Sequence, residues 1–262
     1  MTGVAGAMPA RTGHDYGTIV IVGGGCYGSQ YVRQLGRASL AGVVTWKRML
    51  VVDHDPDCRV ARSADLDPKW FESAAPELRC DHWTSFFADY LSRWATATDS
   101  NPSDAIVPSP LMPHLMYQWL RDRAVERWPG RSISTAPLDS PLPTPWQRAS
   151  PDGTHYASFA EWTCPVNCIE PDRCPHTRGA RTWTMPRAIE DYAHSRRAAG
   201  QDLTGPFVFH CTHRAYGVGM LDTSAVIAAD AAVRERGDRG AADVLVGTVS
   251  HCHGALNLLS IR

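Results

Sequence analysis

Lysine is nearly absent: only Lys47 and Lys69 contribute to a Lys+Arg total of 26. Set against 27 Asp+Glu, that total leaves a formal net charge of -1, so no global field draws the chain to nucleic acid or an anionic membrane. Neither is expected as a partner. Long apolar runs are missing too, since no stretch approaches the roughly 20 residues needed to cross a bilayer. Residues 1–16 are small, polar and glycine-rich, without the basic and apolar regions of a secretory signal. They are expected to be a disordered leader, and the protein to be cytoplasmic. Disulfides are rare in that compartment, so the 8 cysteines count first as metal or redox candidates. Internal repeats are absent as well.

What is present begins with a turn. The apolar run Thr18 to Val22 enters Gly23-Gly24-Gly25-Cys26-Tyr27-Gly28, spaced G-x-G-x-x-G, and a helix follows from about Tyr27 to Leu40. A strand, glycine turn and helix in that order present backbone N–H groups to a phosphate. The next apolar strand, Arg48 to Val52, ends in Asp53, a residue placed to accept hydrogen bonds from an adenosine ribose. Asp53 follows Gly23 by 30 residues, which predicts a lengthened connection over about 38–47. Arg59 and Arg62 could hold a 2′-phosphate, so both NAD and NADP remain candidates.

Further along, Trp83, Phe86, Phe87, Tyr90, Leu91 and Trp94 recur at helical spacing behind Asp81, and 104–107 reads as a short buried strand. Another amphipathic helix starts near Leu115. Strand and helix alternate again after Pro206: strand 207–209, helix 222–233 and strand 244–249. The fold class is therefore α/β, with a doubly wound, mostly parallel Rossmann-type sheet and a cysteine-rich loop insertion. The expected divisions are a leader (1–16), a dinucleotide-binding core (17–135), a Pro- and Cys-rich insertion (136–205) containing a helix near 188–197, and a C-terminal part (206–262) that completes the sheet.

The insertion carries Cys164, Cys168 and Cys174, spaced C-x3-C-x5-C with proline after the first and third. Three thiolates on a stiff loop repel one another unless a cation sits among them, which points to a metal. Two expected strands end in His210-Cys211-Thr212-His213 and His251-Cys252-His253, where a doubly wound sheet gathers its ligands. Cys252 or His253 is the fourth ligand, with His176 a local competitor. Zinc and a [4Fe-4S] cluster both suit this set. A cluster takes electrons singly whereas nicotinamide gives two together, so a cluster would need a flavin or another partner. His210, His213, His251 and His253 are candidates for proton transfer.

Through Ile-Val-Gly-Gly-Gly-Cys-Tyr-Gly and Val-Val-Asp-His-Asp the first 130 residues resemble NAD(P)-binding Rossmann domains, particularly the TrkA-N type of potassium-transport regulators. That resemblance implies cofactor contacts for Gly23, Gly25, Gly28 and Asp53. The whole chain also resembles a group of uncharacterised bacterial proteins that join such a domain to C-P-x-x-C-x-E-P, here Cys164 to Pro171, and end in Cys-His-Gly. The function expected is that of an NAD(P)-binding oxidoreductase with a Cys/His metal site, acting on a small-molecule substrate or redox partner. Its alternatives are a nucleotide- and redox- or metal-sensing regulator and, third, an S-adenosylmethionine-dependent methyltransferase. Homo-oligomerisation is left open.

Overall fold

Five consecutive β-branched residues, Thr18 to Val22, are stiff at χ1 and suit a pleated strand. They form the second half of β1 (His14–Val22) in the computed structural model, which describes residues 13–62, 66–71, 74–96, 103–162, 164 and 168–262. Both faces of β1 are buried. Ile19 and Ile21 pack with Val32, Leu35 and Ala38 of α1 (Cys26–Leu40), while Val20 and Val22 face the opposite layer. The strands β2 (Val44–Asp53) and β3 (Pro76–Cys80) follow in parallel on one side of β1, and β4 (Ala105–Val107) is parallel on the other. Antiparallel β10 (Val218–Asp222) and β9 (Thr212–Ala215) extend that side, giving the order β3-β2-β1-β4-β10-β9.

A second sheet has the order β6 (Trp146–Ala149), β7 (His155–Ser158), β12 (His253–Ile261), β11 (Ala242–Val249), β8 (Leu203–His210), with β5 (Ile133–Ala136) also on β12. Within it β8 and β11 are parallel, and β12 is antiparallel to β11, β5 and β7. Between the sheets lie α2 (Trp83–Thr96), α3 (Leu115–Arg127) and α5 (Thr223–Asp238). Phe87, Leu120 and Val226 from these helices join Val20 and Val22 of β1 and Val244 and Val246 of β11 in one core. The outer face of the second sheet, including Leu245, packs on α4 (Met185–Ala198).

The fold is mixed α/β, with parallel strands, but it has two mixed sheets where the sequence predicts one. Periodicity identifies β8 and β11 as strands without naming their neighbours, and β12 and β5–β7 give them a sheet of their own. Only β9 and β10 of the C-terminal part join the first sheet. Two smaller expectations are also corrected. Residues 14–16 belong to β1 and not to a leader, Gly13 precedes that strand, and residues 1–12 lie outside the described ones. The distance from Gly23 to Asp53 is taken up by a long β2, whose Val44 and Trp46 are buried, and the connection from α1 is short.

The middle layer is fastened by Arg127 of α3, which donates to both oxygens of Asp230 on α5 at 3.0 and 2.9 Å. Both side chains are mostly buried. Arg127→Leu strands the carboxylate, so urea unfolding is expected to show a loss of about 1–3 kcal/mol, the range for hydrogen bonds to charged groups.

Candidate functional site

After β1 the chain turns at Gly23, with φ +87°, and α1 starts at Cys26 with Gly25 as its N-cap. The Gly24 N–H donates to Asp53 Oδ2 at 2.7 Å, and the Asp55 N–H donates to Oδ1 at 2.9 Å. Asp53 is only 8% exposed, so this carboxylate binds the glycine turn to the tip of β2. Cys58 lies against the turn, where a Cβ on Gly24 would meet its Sγ at 2.3 Å. A Cβ on Gly28 would meet the Gly23 carbonyl oxygen at 1.7 Å, so α1 can cross the turn this closely only without a side chain there. Gly25, Cys26 and Tyr27 remain exposed. Among the described residues no side chain caps the start of α1 and no acidic residue occupies its first turn, so the anion at this end of the helix is the Asp53 carboxylate on the Gly24 N–H.

Further from the turn, the structure brings together the four cysteines expected to hold a metal. Cys164, Cys168 and Cys174 line a cavity of about 230 Å³ with Cys252, which arrives on the tight turn between β11 and β12. His176, His213 and His253 also line it. All eight cysteines are unpaired. Burial pushes the Cys164 thiol up, and Cys168, Cys252 and Cys174 push it further, against a lowering hydrogen bond from the Trp162 indole. Burial also raises Cys252, more than the Trp183 indole and Arg181 lower it. Cys174 is held down by the Thr177 backbone N–H.

Three donors in this region, Trp162 Nε1, Trp183 Nε1 and Arg181 Nε, are buried without a well-formed hydrogen bond among the described residues; the two indoles face the Cys164 and Cys252 thiols, which they pull down. Trp162 and Arg181 line the cavity, Trp162 is stacked on His176 at 4.5 Å, and Arg181 Nη1 lies 3.9 Å from Cys252 Sγ. A buried donor left unpaired costs about 1–3 kcal/mol. A metal–thiolate group carries negative charge on its sulfurs and would give such donors acceptors. The donor set therefore fits a thiolate-held centre. As placed, no three His, Cys, Asp or Glu side chains among the described residues converge on a single ion.

Sequence reasoning does not single out Glu170. Its side chain is 8% exposed, and it accepts from Ser250 Oγ at 2.6 Å, His251 N at 2.8 Å and Cys252 N at 3.0 Å. Burial alone would raise its pKa, but these hydrogen bonds together with His213 outweigh burial and hold it below the usual carboxylate range. The cysteine loop is thus pinned to the turn that supplies Cys252. Arg181 adds a second tie by donating to the Glu170 carbonyl. The one available signal was an acidic residue inside a cysteine motif, C-P-x-x-C-x-E-P.

A larger cavity, about 490 Å³, opens beside the cysteines, and Cys168, His213, Ser250 and His253 line both. It lies beyond the ends of β4 and β11, between the two sheets, with Tyr31 of α1 in its wall. The four histidines separate. His213 and His253 stand at the junction of the cavities, whereas His210 and His251 lie outside both linings with their rings 6.1 Å apart. Burial pushes His213 and His253 down, more than the Glu170 carboxylate pulls them up. Ser158 Oγ sits 2.9 Å from His253 Nδ1, which leaves Nε2 as that ring's other polar atom. Cys211 is half-buried in the wall of the larger cavity, and desolvation pushes its thiol up to about 12.

No curated protein and no solved structure matches the chain. A family model matches residues 116–262, more than half of the chain. The matched part contains all four clustered cysteines, Glu170, His213 and His253, and leaves the glycine turn outside. On that match the chain belongs to the family described as AF_1314_C, "Uncharacterized protein, C-terminal domain".

Proposed function

We propose that the protein is an NAD(P)-binding oxidoreductase with a metal centre held by Cys164, Cys168, Cys174 and Cys252. The observation that carries this reading is the meeting of those cysteines, from two separate segments, on one cavity that Trp162 and Arg181 line with buried N–H groups. For the nucleotide, support comes from the parallel order β3-β2-β1-β4 with a G-x-G-x-x-G turn leaving β1, the first half of a Rossmann-type arrangement. The cavities lie beyond the end of β4, next to the point where strand order reverses about β1, the usual place for a ligand in such a sheet.

Four thiolates suit a tetrahedral zinc ion and a [4Fe-4S] cluster alike. N–H donors to sulfur are a means of setting a cluster's potential, so a [4Fe-4S] cluster is the better fit of the two. Bound there, it would supply one-electron transfer, and because nicotinamide gives two electrons together, a flavin or another redox partner would have to stand between the two. The chain's own contribution is to fix the thiols through Glu170, to surround them with N–H donors, and to set two neutral imidazoles, His213 and His253, where a proton can pass between the cavities.

Anaerobic purification followed by metal analysis and absorption spectroscopy tests the centre. Iron and acid-labile sulfide with a visible band bleached by reductant are expected, and Cys252→Ser should retain less than about a tenth of the metal. Colourless protein with stoichiometric zinc would leave the ligand set standing and remove the cluster. Metal-free protein from replete cultures, with all four thiols freely titratable, would remove both.

A further inference from the structure

The 490 Å³ cavity has a wall chemistry of its own. Among the described residues that line it there is no Asp, Glu, Lys or Arg. Tyr31, Pro108, Pro110, Trp146 and Tyr156 give it an apolar, largely aromatic surface, and its volume is that of an ordinary small-molecule site. Trp146, on the edge strand β6, stands in the cavity wall and is 44% exposed.

Its polar groups include Ser158, His213, His253 and the Tyr31 and Tyr156 phenols, and some are already occupied. Ser158 Oγ is shared among the Ala160 carbonyl, the Ala160 N–H and His253. Thr248 differs: it lines the cavity at 5% exposure, and its buried hydroxyl has no hydrogen-bond partner among the described residues. A carboxylate or phosphate entering here would lose its hydration without meeting a cation. A neutral ring bearing a carbonyl would lose little, and its oxygen could take the unused Thr248 proton.

We infer that this cavity is the substrate chamber and that it takes an uncharged, ring-bearing carbonyl compound, paired with Thr248 and covered by Trp146. The inference rests on the reading of the adjoining cysteine cavity as a metal centre, which makes this the space where that centre meets a substrate. It concerns binding only, so it can be tested apart from turnover.

The test uses the full chain as purified, with its metal, and two probes that share a ring and a ketone and differ in charge: methyl 4-acetylbenzoate and 4-acetylbenzoate. Calorimetry is expected to give at least about 10-fold tighter binding of the neutral ester. Thr248→Val, nearly isosteric, should weaken the ester by about 5- to 30-fold, and Trp146→Ala, on an exposed edge, by a similar factor. The absorption spectrum and metal content of both variants should match the parent, which separates failure here from failure of the metal reading. Equal or tighter binding of the carboxylate, no measurable binding of the ester, or an ester affinity that neither substitution changes overturns the inference.

Discussion

Replacing Glu170 by alanine is expected to detach the cysteine loop from the β11–β12 turn and lower global stability by about 3–5 kcal/mol, the scale for breaking a buried, hydrogen-bonded charge network. Three donors depend on that carboxylate, and two of them are backbone N–H groups of His251 and Cys252 with no side-chain freedom to seek water. Glu170→Gln keeps one good acceptor and should cost about 1–3 kcal/mol. The pH dependence gives the sharper check. Because the folded pKa is depressed, the stabilisation is complete above the unfolded value of about 4.3 and is lost as pH falls through the folded value. Urea unfolding of parent and Glu170→Gln from pH 7 to pH 3 should therefore converge at the acid end. Two parallel curves would mean that the carboxylate's charge is irrelevant and that Glu170 only fills space.

That anchor shows in the sequence only as one letter of a cysteine motif, while the cysteines it serves stand out as a group, and the difference is physical. Thiols at close spacing on a proline-stiffened loop have few other uses in a chain read as cytoplasmic, so Cys164, Cys168 and Cys174 could be picked out as a group, and Cys252 by its place at a strand end. A lone glutamate in a loop has no periodicity, and its partner Ser250 is 80 residues away. The same limit applies to the strands. β1, β4, β8 and β11 carry β-branched or aromatic runs that favour extended backbone in any context. In contrast β12, His-Gly-Ala-Leu-Asn-Leu-Leu-Ser-Ile, is rich in residues with no such bias and is a strand because β11 on one side and β5 and β7 on the other pair with it. His210 and His213 looked equivalent in sequence. They part because β8 ends in the second sheet at His210 and β9 begins in the first at Thr212, so only His213 reaches the cysteines.

At the glycine turn, two alanine substitutions three residues apart should give opposite results. In Gly28→Ala the new methyl would stand 1.7 Å from the Gly23 carbonyl oxygen and 2.8 Å from its carbon, both backbone atoms. Neither can swing aside, so α1 must move off β1, and the cost should reach about 3 kcal/mol or more, beyond ordinary overpacking. At Gly25 nothing lies within 4 Å of the added Cβ, and φ is already -76°, so the fold should accept Gly25→Ala with a loss below about 1 kcal/mol. Yet Gly25 is the second glycine of the motif, the one that lets a pyrophosphate approach the backbone. If the turn binds NAD or NADP, a methyl there should weaken the nucleotide by at least about 10-fold while leaving the unfolding midpoint nearly unchanged. Calorimetry with NADH and NADPH on parent and Gly25→Ala, beside urea unfolding of both variants, separates the two roles. Should Gly25→Ala bind as the parent does, the third glycine would still be required, but only as the contact that lets a helix sit this close to a strand.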